Sequence, residues 1–81
     1  MKTRLHFYSY FKDLAGCAAA TMELPDGARV AELLDLAGQR FPGLAPARGC
    51  MLVAVGVDYA GRDQVLKDGD EVSMFPPTQG G

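Results

Sequence analysis

The sequence contains no tryptophan, a single histidine and only two cysteines, and these scarcities exclude several kinds of chemistry. A zinc site draws about four ligands from Cys, His and carboxylates at characteristic spacings. His6, Cys17 and Cys50 are scattered and form no CxxC pair, so no metal site is expected. His6 has no Ser, Cys or Asp around it in a triad-like arrangement, and reads as a sheet-surface histidine rather than a catalyst. Asp68, Asp70 and Glu71 supply too few oxygens at too few fixed positions for a calcium loop and read as a solvated turn. A basic block is missing too. The net charge is −2, from 8 Lys and Arg against 10 Asp and Glu spread along the chain, so nothing offers the positive stripe that a nucleic acid requires. No stretch approaches the roughly 20 apolar residues that cross a bilayer. Met1-Lys2-Thr3-Arg4-Leu5-His6 lacks the apolar core of a secretory signal. Neither nucleic acid nor membrane is expected as a partner, and the expected location is cytoplasmic, where both thiols stay free and buried.

What is present is ample apolar material for one small domain. The 81 residues are 48% hydrophobic, too apolar for a disordered chain and short enough that the core must be used efficiently. Residues 3–11 alternate and carry four aromatics, which predicts a strand with Leu5, Phe7, Ser9 and Phe11 on one face and His6, Tyr8 and Tyr10 on the other. Lys12-Asp13-Leu14-Ala15-Gly16 predicts a short turn or single helical turn that Gly16 ends with a positive φ. Residues 18–24 predict a second, antiparallel strand, closed by the turn residues Pro25-Asp26-Gly27.

The clearest periodicity lies in residues 28–41, where Val30, Leu33, Leu34, Ala37 and Phe41 fall on one helical stripe. Pro42-Gly43 stops this helix, and residues 44–49 predict a loop. Residues 50–57 form an apolar, valine-rich run suited to a buried central strand, followed by a short edge strand around Tyr59. Lys67-Asp68-Gly69-Asp70 is a turn and residues 71–75 the last strand, ended by Pro76-Pro77, which have no amide hydrogen to donate. Met22, Met51 and Met74 read as core filler, and Cys17 as a packing residue. One helix across one face of a mixed four- to five-stranded sheet satisfies the whole pattern, an α+β class.

The last residues carry the chemistry. A strand runs into the stiff Pro76-Pro77 and then into Thr78-Gln79-Gly80-Gly81, which has no apolar anchor. From Pro77 onward the extended backbone reaches roughly 13–14 Å, enough to enter a narrow channel in another protein. Without Cβ atoms the final glycines are thin, and the terminal carbonyl is open to attack. On composition alone a terminal Gly-Gly is equally consistent with a frayed end.

The run DGDEVSMFPPTQGG resembles the end of the MoaD/ThiS family of sulfur carriers, closest to small subunits of molybdopterin synthase. The resemblance extends through Lys12-Asp13-Leu14-Ala15-Gly16, the helix start at Val30 to Leu34, and Val53-Ala54-Val55; the final FPPxxGG is its specific part. It implies a ubiquitin-like β-grasp domain over residues 1–77 and a flexible tail over 78–81. Gly81 would be adenylated by an ubiquitin-E1-like enzyme using ATP and converted to a thiocarboxylate by a sulfur donor. Through Gly80 the tail would then enter the large subunit of molybdopterin synthase and deliver sulfur to cyclic pyranopterin monophosphate. The chain would be a subunit and co-substrate that binds no ATP, metal or pterin by itself.

Partner contacts are implied at Tyr8, Tyr59 and Phe75, with Pro76 and Pro77 beside the tail. Two readings share the activation step: a ubiquitin-like modifier conjugated through Gly81, and a carrier for thiamine or another sulfur pathway. A plain interaction module with an incidental tail is a fourth. Two positions depart from the family pattern. Arg29 replaces a capping Ser or Thr before Glu32, which predicts a frayed first helical turn rescued by Asp26. Gly56 stands where Asn is common, which obscures the turn that follows.

Overall fold

The computed structural model describes residues 1–77. In chain order the elements are β1 (Lys2–Phe7), α1 (Phe11–Ala15), β2 (Ala19–Glu23), α2 (Val30–Arg40), a 3₁₀ helix (Pro42–Cys50), β3 (Leu52–Val55), β4 (Asp58–Tyr59) and β5 (Glu71–Phe75). The five strands form one sheet in the order β2-β1-β5-β3-β4. β1 and β5 run parallel side by side, with Leu5 beside Val72 and Phe7 beside Met74, and the other pairs are antiparallel. The sheet and α2 give the β-grasp arrangement that the resemblance implied.

The periodicities explain the packing. On α2, Val30, Leu33, Leu34 and Ala37 are each at most 3% exposed, and they close over Leu5, Phe7, Met22, Val53, Val72 and Met74 from the sheet. Met51 fills the same core. Phe41 caps the helix and meets Phe7 edge to face, with ring centroids 5.4 Å apart. Each fully buried side chain of this size contributes about 1.5–3 kcal/mol from removal of apolar surface.

Several expectations are corrected. β1 ends at Phe7, not at residue 11, because Ser9 has φ 57, a left-handed conformation that no strand accommodates. Ser9 is therefore exposed rather than on the core face, and Tyr10 packs on Phe11 at 5.0 Å. Phe11 still reaches the core, but from α1, which Gly16 terminates at φ 80 as expected. The expected loop after α2 is the 3₁₀ helix, and it buries Leu44. It can lie against α1 only because residue 43 is glycine: a Cβ there would collide with the carbonyl oxygen of Leu14. The valine-rich run becomes a strand only from Leu52, and it lies inside the sheet between β5 and β4, as expected. A two-residue loop joins β3 to β4, with the positive φ at Gly56, as type II′ hairpins require.

The first turn of α2 is held, not frayed. Asp26 faces the N-terminal ammonium at 3.6 Å instead of capping the helix. The orphan amides of Val30 and Ala31 donate to the carbonyls of Gln64 (2.9 Å) and Arg62 (3.0 Å), and Glu32 Oε1 accepts from the Arg29 amide at 3.1 Å. A backbone segment distant in sequence replaces the missing side-chain cap.

Neither thiol is buried as expected: Cys17 is half-buried and Cys50 exposed, both free.

Candidate functional site

The base of the tail is set by the central strand. β5 is hydrogen-bonded on both sides, to β1 and to β3, and its last residue, Phe75, lies opposite Leu52. Beyond the end of β1, the Tyr8 amide still donates to the Met74 carbonyl at 3.1 Å, so the strand is pinned almost to its last residue. Pro76 and Pro77 follow, half-buried, and cannot prolong the ladder. The chain thus leaves from the middle of the sheet at one rim. The expected tail, Thr78 and Gln79 with the candidate residues Gly80 and Gly81, lies outside the described residues.

Alternation along β5 turns Val72 and Met74 into the core and Phe75 to the open face of the sheet. There the Phe75 ring lies 6.3 Å from Tyr8, nearly perpendicular at 75°, and 5.7 Å from Tyr59, tilted at 58°. Tyr8 is 50% and Tyr59 72% exposed, so two rings flank a half-buried third. The structure therefore brings together the three aromatics singled out in the sequence, although they come from the last residues of β4 and β5 and the residue after β1. Two neighbours were missed. Leu52 pairs with Phe75, and Ala54 pairs with Tyr59 and Ser73, which puts both on the patch side of β3. The signal was there: Val53 faces the core, and its neighbours on a strand must face away.

The far end of the same face is polar. His6 Nε2 lies 2.8 Å from Glu71 Oε1 on the sheet surface. The acidic turn is structural. Asp68 Oδ1 accepts from the Lys2 amide at 2.7 Å, and Asp70 Oδ2 from the Lys67 amide at 2.8 Å. The carboxylates hold the loop that leads into β5 and tie it to the start of β1. Among the described residues no group of three or more His, Cys, Asp and Glu could hold a metal ion. No helix among them is long and apolar enough to cross a membrane.

Rings and aliphatic groups thus share the sheet rim from which the chain leaves. Phe75 sits at the centre of that patch, and its backbone continues directly into Pro76.

The ThiS family model matches residues 5–81. The molybdopterin synthase sulfur carrier subunit of Chlamydomonas reinhardtii is 31% identical over 83 residues, covering 100% of both chains. The human protein of that name is 31% identical over 78 residues, covering 93% of this chain and 89% of its own. Among solved structures, a Pyrococcus furiosus protein described as molybdopterin converting factor, subunit 1, superimposes with a TM-score of 0.88 at 31% identity, covering 96% of this chain and 99% of its own. SAMP1 from Haloferax volcanii shares the fold, with a TM-score of 0.90 at 20% identity and 100% coverage of both chains. The complex of subunits 1 and 2 of the molybdopterin-converting factor of Helicobacter pylori contains a chain with a TM-score of 0.72 at 23% identity, covering 100% of both. With a family match over nearly its whole length and whole-chain relatives of one kind, this chain belongs to the ThiS/MoaD family.

Proposed function

We propose that the chain is the sulfur carrier subunit of a molybdopterin synthase and that its working group is the carboxylate of Gly81. The observation that carries this reading is the way the chain leaves the fold. A central strand pinned on both sides delivers Phe75-Pro76-Pro77 to the sheet rim, and Thr78-Gln79-Gly80-Gly81 follows in sequence. The whole-chain relatives that carry the sulfur-carrier name support it.

A carboxylate is a poor electrophile and needs activation. An E1-like enzyme would join Gly81 to the AMP moiety of ATP, releasing pyrophosphate. A donor of sulfide-level sulfur would then displace AMP and leave a thiocarboxylate. In the large subunit that sulfur would bond to cyclic pyranopterin monophosphate, and water would cleave the resulting acyl–sulfur bond and return Gly81 to a carboxylate. Gly80 leaves the end thin enough to thread a pocket. The described part of this chain contributes position and affinity: Tyr8, Tyr59 and Phe75, with Leu52 and Ala54 beneath, would bind the large subunit and the activating enzyme in turn. ATP belongs to the activating enzyme, and the chain is a co-substrate rather than an enzyme by itself. The reading expects the chain in the cytoplasm.

The test is the intact mass of the full chain after incubation with the activating enzyme of its host, ATP and a sulfur donor. The proposal expects one oxygen replaced by sulfur at the C-terminus, and no change when Gly81 is deleted. An unchanged mass alongside an enzyme shown to be active would refute it.

A further inference from the structure

β2 is the outermost strand of the sheet on the side away from the aromatic patch. Its register with β1 shows which of its main-chain groups are spent. Met1 and Leu24 exchange both bonds, N to O and O to N, at 2.8 Å each, and Phe7 donates to Ala18 at 2.9 Å. In an antiparallel ladder the bonded pairs alternate, so Ala18, Ala20, Met22 and Leu24 turn their amides and carbonyls to β1. The main-chain groups of Ala19, Thr21 and Glu23 therefore point outward. One of them is occupied: Arg40, from the last turn of α2, donates through Nη1 to the Thr21 carbonyl at 2.7 Å. Beside this edge lies a groove of about 410 Å³ between β2 and α2, lined by Met22, Glu23, Leu36, Gln39 and Arg40.

An open strand edge with an apolar trough beside it is a template for strand addition. We infer that this edge and groove form a second docking surface, for an extended peptide carrying an aliphatic side chain and a carboxylate two residues apart. The spacing comes from the pleat. A strand residue that pairs with Thr21 places its own side chain on the open face of the sheet, and its two neighbours then point to the helix side. One neighbour lies over Met22 and Leu36 and takes an aliphatic group. The other meets the exposed guanidinium of Arg40, which lies over the Phe41 ring at 5.2 Å, gives up the Thr21 carbonyl to the incoming amide and is then free to pair with a carboxylate. Glu23 lines the opposite end of the groove and disfavours a second acid there. With no incoming strand Arg40 blunts the edge; with one bound it selects for charge. The surface shares no residue with the patch of Tyr8, Tyr59 and Phe75, and the inference does not depend on the tail chemistry.

The test uses the full ¹⁵N-labelled chain and two capped synthetic peptides of alternating threonines. One carries Ile and Asp two residues apart; in the other Asn replaces Asp. The expected result is saturable amide shifts centred on Ala19, Thr21, Glu23 and Arg40, with the Asn peptide roughly tenfold weaker, as loss of one charge-assisted hydrogen bond implies. Arg40→Gln should remove that difference between the peptides while leaving the amide spectrum elsewhere unchanged. Absence of saturable shifts, shifts centred on Phe75, or equal binding of the two peptides would overturn the inference. So would sedimentation showing that Arg40→Gln pairs with itself in preference to either peptide, since the occupant of the edge would then be a second copy.

Discussion

Replacing Gly43 by alanine should be one of the most damaging small changes in this chain, and the reason is a close approach rather than backbone freedom. The new Cβ would collide with the carbonyl oxygen of Leu14, and the Leu14 carbonyl carbon and Cα also lie within 3.5 Å. The three nearest atoms are all backbone, so the clash cannot be relieved by a side chain swinging away. The 3₁₀ helix must instead move off α1, which loosens the packing of Leu44 and Phe11, each at most 1% exposed. Overpacking of this kind costs about 1–3 kcal/mol. At about 4–8 °C of Tm per kcal/mol for a domain of this size, Gly43→Ala should melt roughly 5–20 °C lower.

Gly49, in the same 3₁₀ helix, supplies the control. A Cβ there meets nothing within 4 Å and its φ is not left-handed, so Gly49→Ala should change stability little or raise it by about 0.4–1 kcal/mol. The assay is urea unfolding followed by circular dichroism, with the three chains compared at a common slope. Equal midpoints for the two variants would refute the reasoning. Below its transition Gly43→Ala should load sulfur as the parent does, because residue 43 lies outside the patch.

Other consequences follow from single contacts. Arg62 Nη2 donates to the carbonyls of Arg48 (3.0 Å) and Met51 (2.9 Å), tying the end of the 3₁₀ helix to the segment that caps α2; Arg62→Ala should cost about 1–3 kcal/mol in denaturant unfolding, with only partial recovery in Arg62→Lys. Asp68→Ala leaves the Lys2 amide without its 2.7 Å acceptor at an exposed site, and should cost about 0.5–1 kcal/mol by the same measurement. Phe75→Ala removes the centre of the patch and should weaken binding to the large subunit by roughly thirtyfold or more in calorimetry, as loss of a buried aromatic anchor does. A similar affinity for Phe75→Ala and the parent would remove the patch from the interface.

The parts of the fold legible in the sequence were those governed by periodicity. The stripe from Val30 to Ala37 needs only the helical repeat, and Val72 and Met74 need only alternation, and the structure buries all of these. What was not legible depended on contacts between distant segments. Alternation carried the first strand through Ser9 because the hydrophobic pattern happens to continue, whereas the chain turns left-handed there and starts a helix. The start of α2 reads as uncapped because Arg29 offers no capping oxygen, and the partners are carbonyls of Arg62 and Gln64, more than 30 positions away. The segment after α2 read as a loop for its Pro and Gly content; the requirement that residue 43 be glycine arises from Leu14, which no local pattern reveals. For the site, Tyr8, Tyr59 and Phe75 could each be assigned an outward face from alternation and the resemblance. That they converge depends on β5 lying between β1 and β3, a fact of pairing.

The most direct test of the account is transfer of sulfur from Gly81. The chain, loaded as a thiocarboxylate, is mixed with the large subunit of its host and cyclic pyranopterin monophosphate, and the dithiolene product is followed alongside the intact mass of the chain. The account predicts product in proportion to thiocarboxylate consumed, with Gly81 returned to a carboxylate, and none from a chain extended by one residue beyond Gly81. Product formed by the extended, untrimmed chain, or a thiocarboxylate that persists beside a competent large subunit and its substrate, would contradict it.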